Sequence, residues 1–240
     1  MSYQPGKKTS EGYLALPVSG GGPGILVLHA WWGLNDFFVG LCDRLAAEGY
    51  VALAPDLYQG RVTSSIEEAK TLAQGLDSDT AQAHVLSALV TLQSHPAVQG
   101  EAAGVLGCSL GAAWALEIAA LRPEQIAVAV LFYGVGEADF AASRCAFLGH
   151  FAEHDDFDSL DDAHAMEAAM QAAGRNITFY EYPGVGHWFF EADRPDSYNP
   201  NAANLAWERT VSFLNSHQKR PFVKVGMAAP GFSHGEELPL

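Results

Sequence analysis

"GVLGCSLGAA", residues 104–113, sets a cysteine and a serine side by side between glycines. The run before it, "AAGVL", is short and apolar, and the run after it, "GAAWALEIAAL", has the composition of a helix. A nucleophile held on a sharp strand-to-helix turn needs glycine two positions to either side, because the chain is crowded and strained there. Gly107 and Gly111 stand at that distance from Ser109. Cys108 has Leu106 and Leu110 at the same distance, so the spacing selects the serine. The competing reading of Ser109 is an ordinary helix N-cap, whose hydroxyl accepts a backbone N–H.

Working outward, the chain repeats the same alternation. Short apolar runs at 24–30, 50–57, 102–108, 126–134 and 145–152 are rich in β-branched and aromatic residues, and 176–183 ("NITFYEYP") reads as a sixth. Such continuous apolar runs mark strands covered on both faces. Helical patterns fall between and after them at about 36–48, 65–74, 79–95, 110–121, 158–173 and 202–217. Strands alternating with helices imply an α/β fold with a mostly parallel central sheet and helices on both faces. "GYLALP" (12–17) reads as an antiparallel edge strand, stopped by Pro17 and the turn "SGGGPG". The reading is one domain over residues 1–217, followed by an extended tail over 218–240, either disordered or docked.

Composition narrows the function class. At 240 residues with 49% hydrophobic and 17% charged side chains, the chain is long and apolar enough to bury a core. A formal net charge of −15 opposes nucleic acid and anionic membrane surfaces as partners. No apolar run is long enough to span a bilayer and the N-terminus lacks the apolar core of a signal peptide. Three cysteines (Cys42, Cys108, Cys145) do not make a disulfide framework, which points to a reducing, cytoplasmic setting.

A serine hydroxyl needs a base within hydrogen-bond reach, and the base needs a carboxylate to orient it. Of nine histidines, His187 stands apart: "EYPGVGHWFF" puts it directly after the last strand, between glycines and aromatics. The acid is expected after the preceding strand, in "LGHFAEHDDFDSLDD" (148–162), where Asp155 comes first. Asp156, Asp158, Asp161 and Asp162 read as solvated carboxylates at a helix start. Glu153 and His154 with these aspartates match no calcium-loop or zinc spacing, so no metal is expected.

Four blocks, "LHAWWGLND" (28–36), "LGCSLGAA" (106–113), "AEHDDF" (152–157) and "YPGVGHWFFEADRPDSYNPNAANLAWERTVSFL" (182–214), resemble the dienelactone hydrolase (carboxymethylenebutenolidase-like) family of the α/β-hydrolase fold. The resemblance runs from about Gly12 to Leu214. It implies Ser109 as nucleophile, Asp155 as acid and His187 as base, with the backbone N–H groups of Trp31 and Leu110 forming the oxyanion hole. The chain departs from the family where dienelactone hydrolases carry a cysteine nucleophile, here Ser109, and a glutamate that meets the resting thiol, here Ala30. Of two family arginines that hold the substrate carboxylate, one position is Glu191 here; Arg61 is a loose match for the other, and Arg194 lies nearby.

The expectation is therefore a serine hydrolase for a small ester or lactone, acting through an acyl-enzyme without a cofactor, as monomer or homodimer. Trp31, Trp32, Phe132, Tyr133, Phe157 and Trp188 are candidates for the pocket wall, with Arg61 and Arg194 beside it. The alternatives are acyl transfer on the same fold, cleavage of dienelactone itself, and a catalytically silent family member that binds ligands.

Overall fold

The computed structural model describes residues 3–218; the expected tail lies, from residue 219 onward, outside them. In chain order the elements are β1 (Gly12–Ala15), β2 (Gly24–Leu28), α1 (Asp36–Ala47), β3 (Val51–Pro55), α2 (Ile66–Gln74), α3 (Ser78–Ser94), β4 (Ala103–Cys108), α4 (Leu110–Leu121), β5 (Ile126–Phe132), β6 (Ala146–His154), α5 (Leu160–Ala172), β7 (Ile177–Gly186) and α6 (Pro200–His217).

One seven-stranded sheet runs in the order β1-β3-β2-β4-β5-β6-β7. Strand β1 lies antiparallel on β3, with Gly12 opposite Pro55, and every other pairing is parallel. Alternate residues of each strand feed two separate cores. Ile25 and Val27 of β2 pack with Phe38, Leu41 and Leu45 of α1 and Leu214 of α6. Leu26 and Leu28 pack with Val85 and Leu89 of α3, Trp114 and Ile118 of α4 and Met166 of α5. Each fully buried Val, Leu, Ile or Phe among them is worth roughly 1.5–3 kcal/mol relative to exposure. Covering both faces explains why the strands read as unbroken apolar runs.

From β2 the chain moves to β3 on one side, then returns to place β4 on the other. That reversal opens a crevice beyond the carboxyl ends of β2 and β4, where ligands of open α/β sheets bind. Leu28 of β2 is registered with Gly107 of β4, so the turns that follow them, carrying Trp31 and Ser109, emerge side by side.

Candidate active site

Ser109 sits at the apex of the turn between β4 and α4 with φ 52° and ψ −118°, a conformation that L-residues rarely hold without compensation. A Cβ on Gly107 would lie 2.1 Å from the Gly111 carbonyl oxygen, and one on Gly111 would lie 2.1 Å from the Leu28 carbonyl oxygen. Glycine is required at both positions because backbone passes against backbone. Ser109 also occupies the N-cap position of α4, yet its side chain makes no capping bond. The caps Asn35, Ser65, Asp77, Ser159 and Asn199 all accept a backbone N–H of their helices. The hydroxyl of Ser109 is instead 2.9 Å from Nε2 of His187.

His187 and Asp155 meet because β6 and β7 are neighbours in register. After an irregularity between Ala152 and His154, His154 is paired with Gly186, so the next residue of each chain is Asp155 and His187. Nδ1 of His187 lies 2.7 Å from Oδ2 of Asp155. The other carboxylate oxygen accepts the N–H groups of Phe157 and Asp158, each at 2.9 Å. With a carboxylate accepting at Nδ1, the proton belongs there, and the Nε2 lone pair is left to accept from the Ser109 hydroxyl. The histidine and aspartate side chains are only 3% and 1% exposed. Asp156 stays exposed, while Asp158 turns toward the Val135 N–H at 3.4 Å. Among the described residues no group of three or more His, Cys, Asp or Glu is gathered as a metal ion would need.

Across the crevice, the N–H groups of Trp31 and Leu110 donate to no protein acceptor among the described residues. A second histidine shapes the Trp31 turn. The buried His29 ring places Nδ1 at 2.7 Å from the Ala30 carbonyl, and its Nε2 accepts the Leu57 N–H at 3.1 Å. Burial lowers the His29 pKa, which keeps the ring neutral and able to donate at one nitrogen while accepting at the other. The sequence assigns nothing to His29 beyond the end of a strand.

Aromatic rings surround His187. Phe157, 45% exposed, lies 5.1 Å from the imidazole and 4.9 Å from Trp188; Trp188 stacks on Trp31 at 6.0 Å. Two expectations need correction. Tyr133 is fully buried beneath the histidine, ring centroids 4.9 Å apart, and so lines no open pocket; Phe132 and Trp32 are likewise core. Neither expected arginine bonds to Ser109, His187 or Asp155. The Arg194 guanidinium lies 3.7 Å over the buried Trp32 ring and donates to the Thr63 and Ser64 carbonyls, while Arg61 is exposed and folds back on the Tyr58 carbonyl.

A model of the dienelactone hydrolase family matches residues 10–218. The chain belongs to the dienelactone hydrolase family. It is 30% identical over 216 residues to Protein usf of Aquifex pyrophilus, covering 86% of this chain and 93% of that one. It is 31% identical over 222 residues to a Bradyrhizobium protein assigned as a 2-oxo-3-(5-oxofuran-2-ylidene)propanoate lactonase, covering 85% and 88%. Among solved structures, one assigned as a dienelactone hydrolase from Klebsiella pneumoniae matches with a TM-score of 0.73 at 26% identity, covering 82% of this chain and 88% of that one. Membership makes this chain a hydrolase of the ester and lactone type.

Against that family background one buried cluster is unexpected. Glu191, four residues after His187, is fully buried. The Tyr133 O–H donates to its Oε1 at 2.8 Å, and its Oε2 has no partner among the described residues. Burial pushes this carboxyl up to about 8. Cys108, also buried, borders both side chains. No pattern in the sequence marks Glu191 as an interior group, since the only bonded partner of its carboxyl among the described residues lies 58 residues away.

Proposed function

We propose that this dienelactone hydrolase family member is a serine hydrolase that cleaves small neutral esters or lactones through an acyl-enzyme. The observation that carries the reading is the Ser109 hydroxyl, turned from its helix cap onto His187, which is in turn bonded to Asp155. His187 takes the Ser109 proton as Oγ attacks the carbonyl carbon, and the N–H groups of Trp31 and Leu110 receive the negative charge on oxygen. The tetrahedral adduct collapses with His187 returning the proton to the leaving oxygen. Water then attacks the acyl-enzyme, His187 again removing a proton, and the acid leaves with Ser109 restored. Asp155 holds the ring and stabilises the imidazolium formed in both steps.

The substrate class rests on charge. The named Bradyrhizobium lactone carries a carboxylate, and holding one needs an unpaired cation near the reacting carbon. Arg194 is committed to Trp32 and two carbonyls, and Glu191 stands where the family has an arginine. A fluorophosphonate probe tests the nucleophile: stoichiometric inactivation with the label on Ser109 is the expected result. A panel of 4-nitrophenyl esters and lactones then ranks substrates. An intact protein that neither takes the label nor turns over any of the panel is a binding protein, and the proposal fails.

A further inference from the structure

The proposed mechanism uses none of Glu191, Tyr133 and Cys108, although the three lie directly behind the reacting pair. Tyr133 is bent into φ 34°, its backbone N–H is bonded to the His150 carbonyl at 2.8 Å, and its ring meets His187 edge to face. Gly134, next in the chain, allows no side chain, because a Cβ there would lie 2.6 Å from the Ser109 carbonyl oxygen. The Tyr133 side chain is thus wedged between the base on one side and Glu191 on the other. Three of the four described non-glycine residues with positive φ, Ser109, Tyr133 and Trp188, lie at this one spot. Strain of that kind persists only where the surroundings fix it.

We propose that Glu191 is a positioning residue: it anchors the Tyr133 hydroxyl, and through the Tyr133 ring it holds the His187 imidazole in line with Ser109. This rests on the reading of Ser109 and His187 as nucleophile and base. The groups facing the Glu191 carboxyl are few. Tyr133 comes from the end of β5 and Cys108 from the end of β4. Asp193 and Arg194 come from its own segment with opposed effects, and Arg44 of α1 lies 5.8 Å over the neighbouring Phe190 ring. None of these makes an ion pair with Glu191 among the described residues. An unpaired carboxylate in such a place is costly, and the group is held instead as a neutral acid. The raised pKa, due first to burial, agrees with that arrangement. When the acid ionises above about pH 8, water must enter to solvate it, and the Tyr133 wedge loosens.

Steady-state kinetics on one 4-nitrophenyl ester, normalised to Ser109 sites titrated with fluorophosphonate, test this. Glu191→Met removes the acceptor and Tyr133→Phe removes the donor. Each is expected to lower kcat by roughly tenfold to a hundredfold with KM little changed, and the double variant to do no worse than the more damaging single one. Glu191→Gln keeps an acceptor without a titrating group, so it restores kcat at neutral pH to within about threefold. It should also lack the fall in kcat expected of the wild type above about pH 8. Should Glu191→Met fail to fold, Tyr133→Phe carries the same test. A merely structural role predicts a lowered Tm with unchanged kcat per titrated site, and that outcome, or an alkaline limb that survives in Glu191→Gln, overturns the proposal. A wild-type protein that takes no label on Ser109 overturns both this and the hydrolase reading.

Discussion

Among the described residues two histidines, His187 and His150, are hydrogen-bonded to side chains at both ring nitrogens, with nearly the same distances, whereas His29 meets only backbone. His187 has Asp155 at 2.7 Å and Ser109 at 2.9 Å; His150, in the middle of β6, has the Tyr182 hydroxyl at 2.8 Å and the Thr210 hydroxyl at 3.0 Å. Geometry alone would rank them equal. What separates them is chemistry. The partners of His150 are a phenol and an alcohol, neither of which stabilises an imidazolium as a carboxylate does. His150 is fully buried, and burial pushes its pKa down to about 3, so it cannot act as a base near neutral pH. His187 stands at the carboxyl edge of the sheet, beside a strained serine and N–H groups that have no acceptor among the described residues. On the proposed reading, a hydroxyl–histidine contact serves as nucleophile and base only with a carboxylate behind it and an open crevice in front.

Removing members of each set separates the two histidines most strongly. Ser109→Ala and His187→Ala are each expected to lower kcat by roughly a thousandfold or more with the fold intact, since the members act as one unit. Asp155→Asn costs less than either but far more than Asp156→Asn, because only Asp155 bonds the ring. Ester hydrolysis assays on the four proteins decide it. Wild-type turnover in Asp155→Asn beside collapse in Asp156→Asn would place the carboxylate wrongly.

His150→Leu is expected to do the reverse. It strands the Tyr182 and Thr210 hydroxyls in the core, costing roughly 2–4 kcal/mol of stability, while kcat per folded molecule stays within about threefold. The pH dependence follows from the lowered pKa. The unfolded chain binds a proton at His150 near pH 6.5, whereas the folded chain resists until about 3. The stability is therefore complete above about pH 6.5 and lost as pH falls toward 3, at about 1.4 kcal/mol per unit within that window. Glu191 runs the opposite way. Its carboxyl, raised to about 8, is neutral in the folded chain while ionised in the unfolded one, so its contribution declines as pH rises from about 4.3 toward 8. Denaturant titrations of wild type, His150→Leu and Glu191→Gln at several pH values separate the two slopes.

Much of this contrast is legible in the amino-acid sequence, and the part that is not has a physical cause. Glycine spacing identifies Ser109, because only glycine fits where backbone presses on backbone at 107 and 111. Chain order and strand ends single out Asp155 and His187, which the structure brings to 2.7 Å of each other. The apolar pattern ends β6 and β7 too early, at 152 and 183, since both strands run on through exposed residues such as Glu153, His154 and Gly184. These tips project beyond the core and end one residue before Asp155 and His187, so the pattern stops before the strand does. The Glu191–Tyr133 bond and the stacking of Arg194 on Trp32 are out of reach for another reason. Each is a long-range pairing of one polar group with one aromatic, and no local periodicity records it.

A smaller effect tests whether the crevice differs from the wider family in charge. With Arg194 held by Trp32, and Ala30 and Glu191 where the family carries a glutamate and an arginine, neutral short-chain esters should exceed carboxylate-bearing lactones in kcat/KM. A preference of tenfold for the anionic lactone, about 1.4 kcal/mol of differential transition-state binding, would overturn this. Arg194→Ala would then show whether that guanidinium leaves its ring to meet the substrate.

The smallest effect belongs to Cys108, the neighbour that glycine spacing rejects. It closes β4 on the face packed by α1 and α6, and one position along the chain separates a buried thiol from an elbow hydroxyl. Burial, reinforced by the nearby Glu191, raises its pKa well above the ordinary thiol range, so almost no thiolate forms at neutral pH. Cys108→Ala removes a small apolar group and is expected to cost about 1 kcal/mol of stability while most activity remains. Iodoacetamide, which needs both thiolate and access, should inactivate slowly or not at all, whereas a phosphonate should inactivate one for one. A cysteine nucleophile would need its thiolate controlled at rest; a serine is deprotonated only as it attacks, so Ala30 in place of the family's glutamate leaves nothing uncontrolled. If mass spectrometry of the inactivated protein finds the phosphonate on Cys108, then neither the glycine spacing nor the hydroxyl turned toward His187 identifies the nucleophile, and the distinction between the two histidines loses its basis.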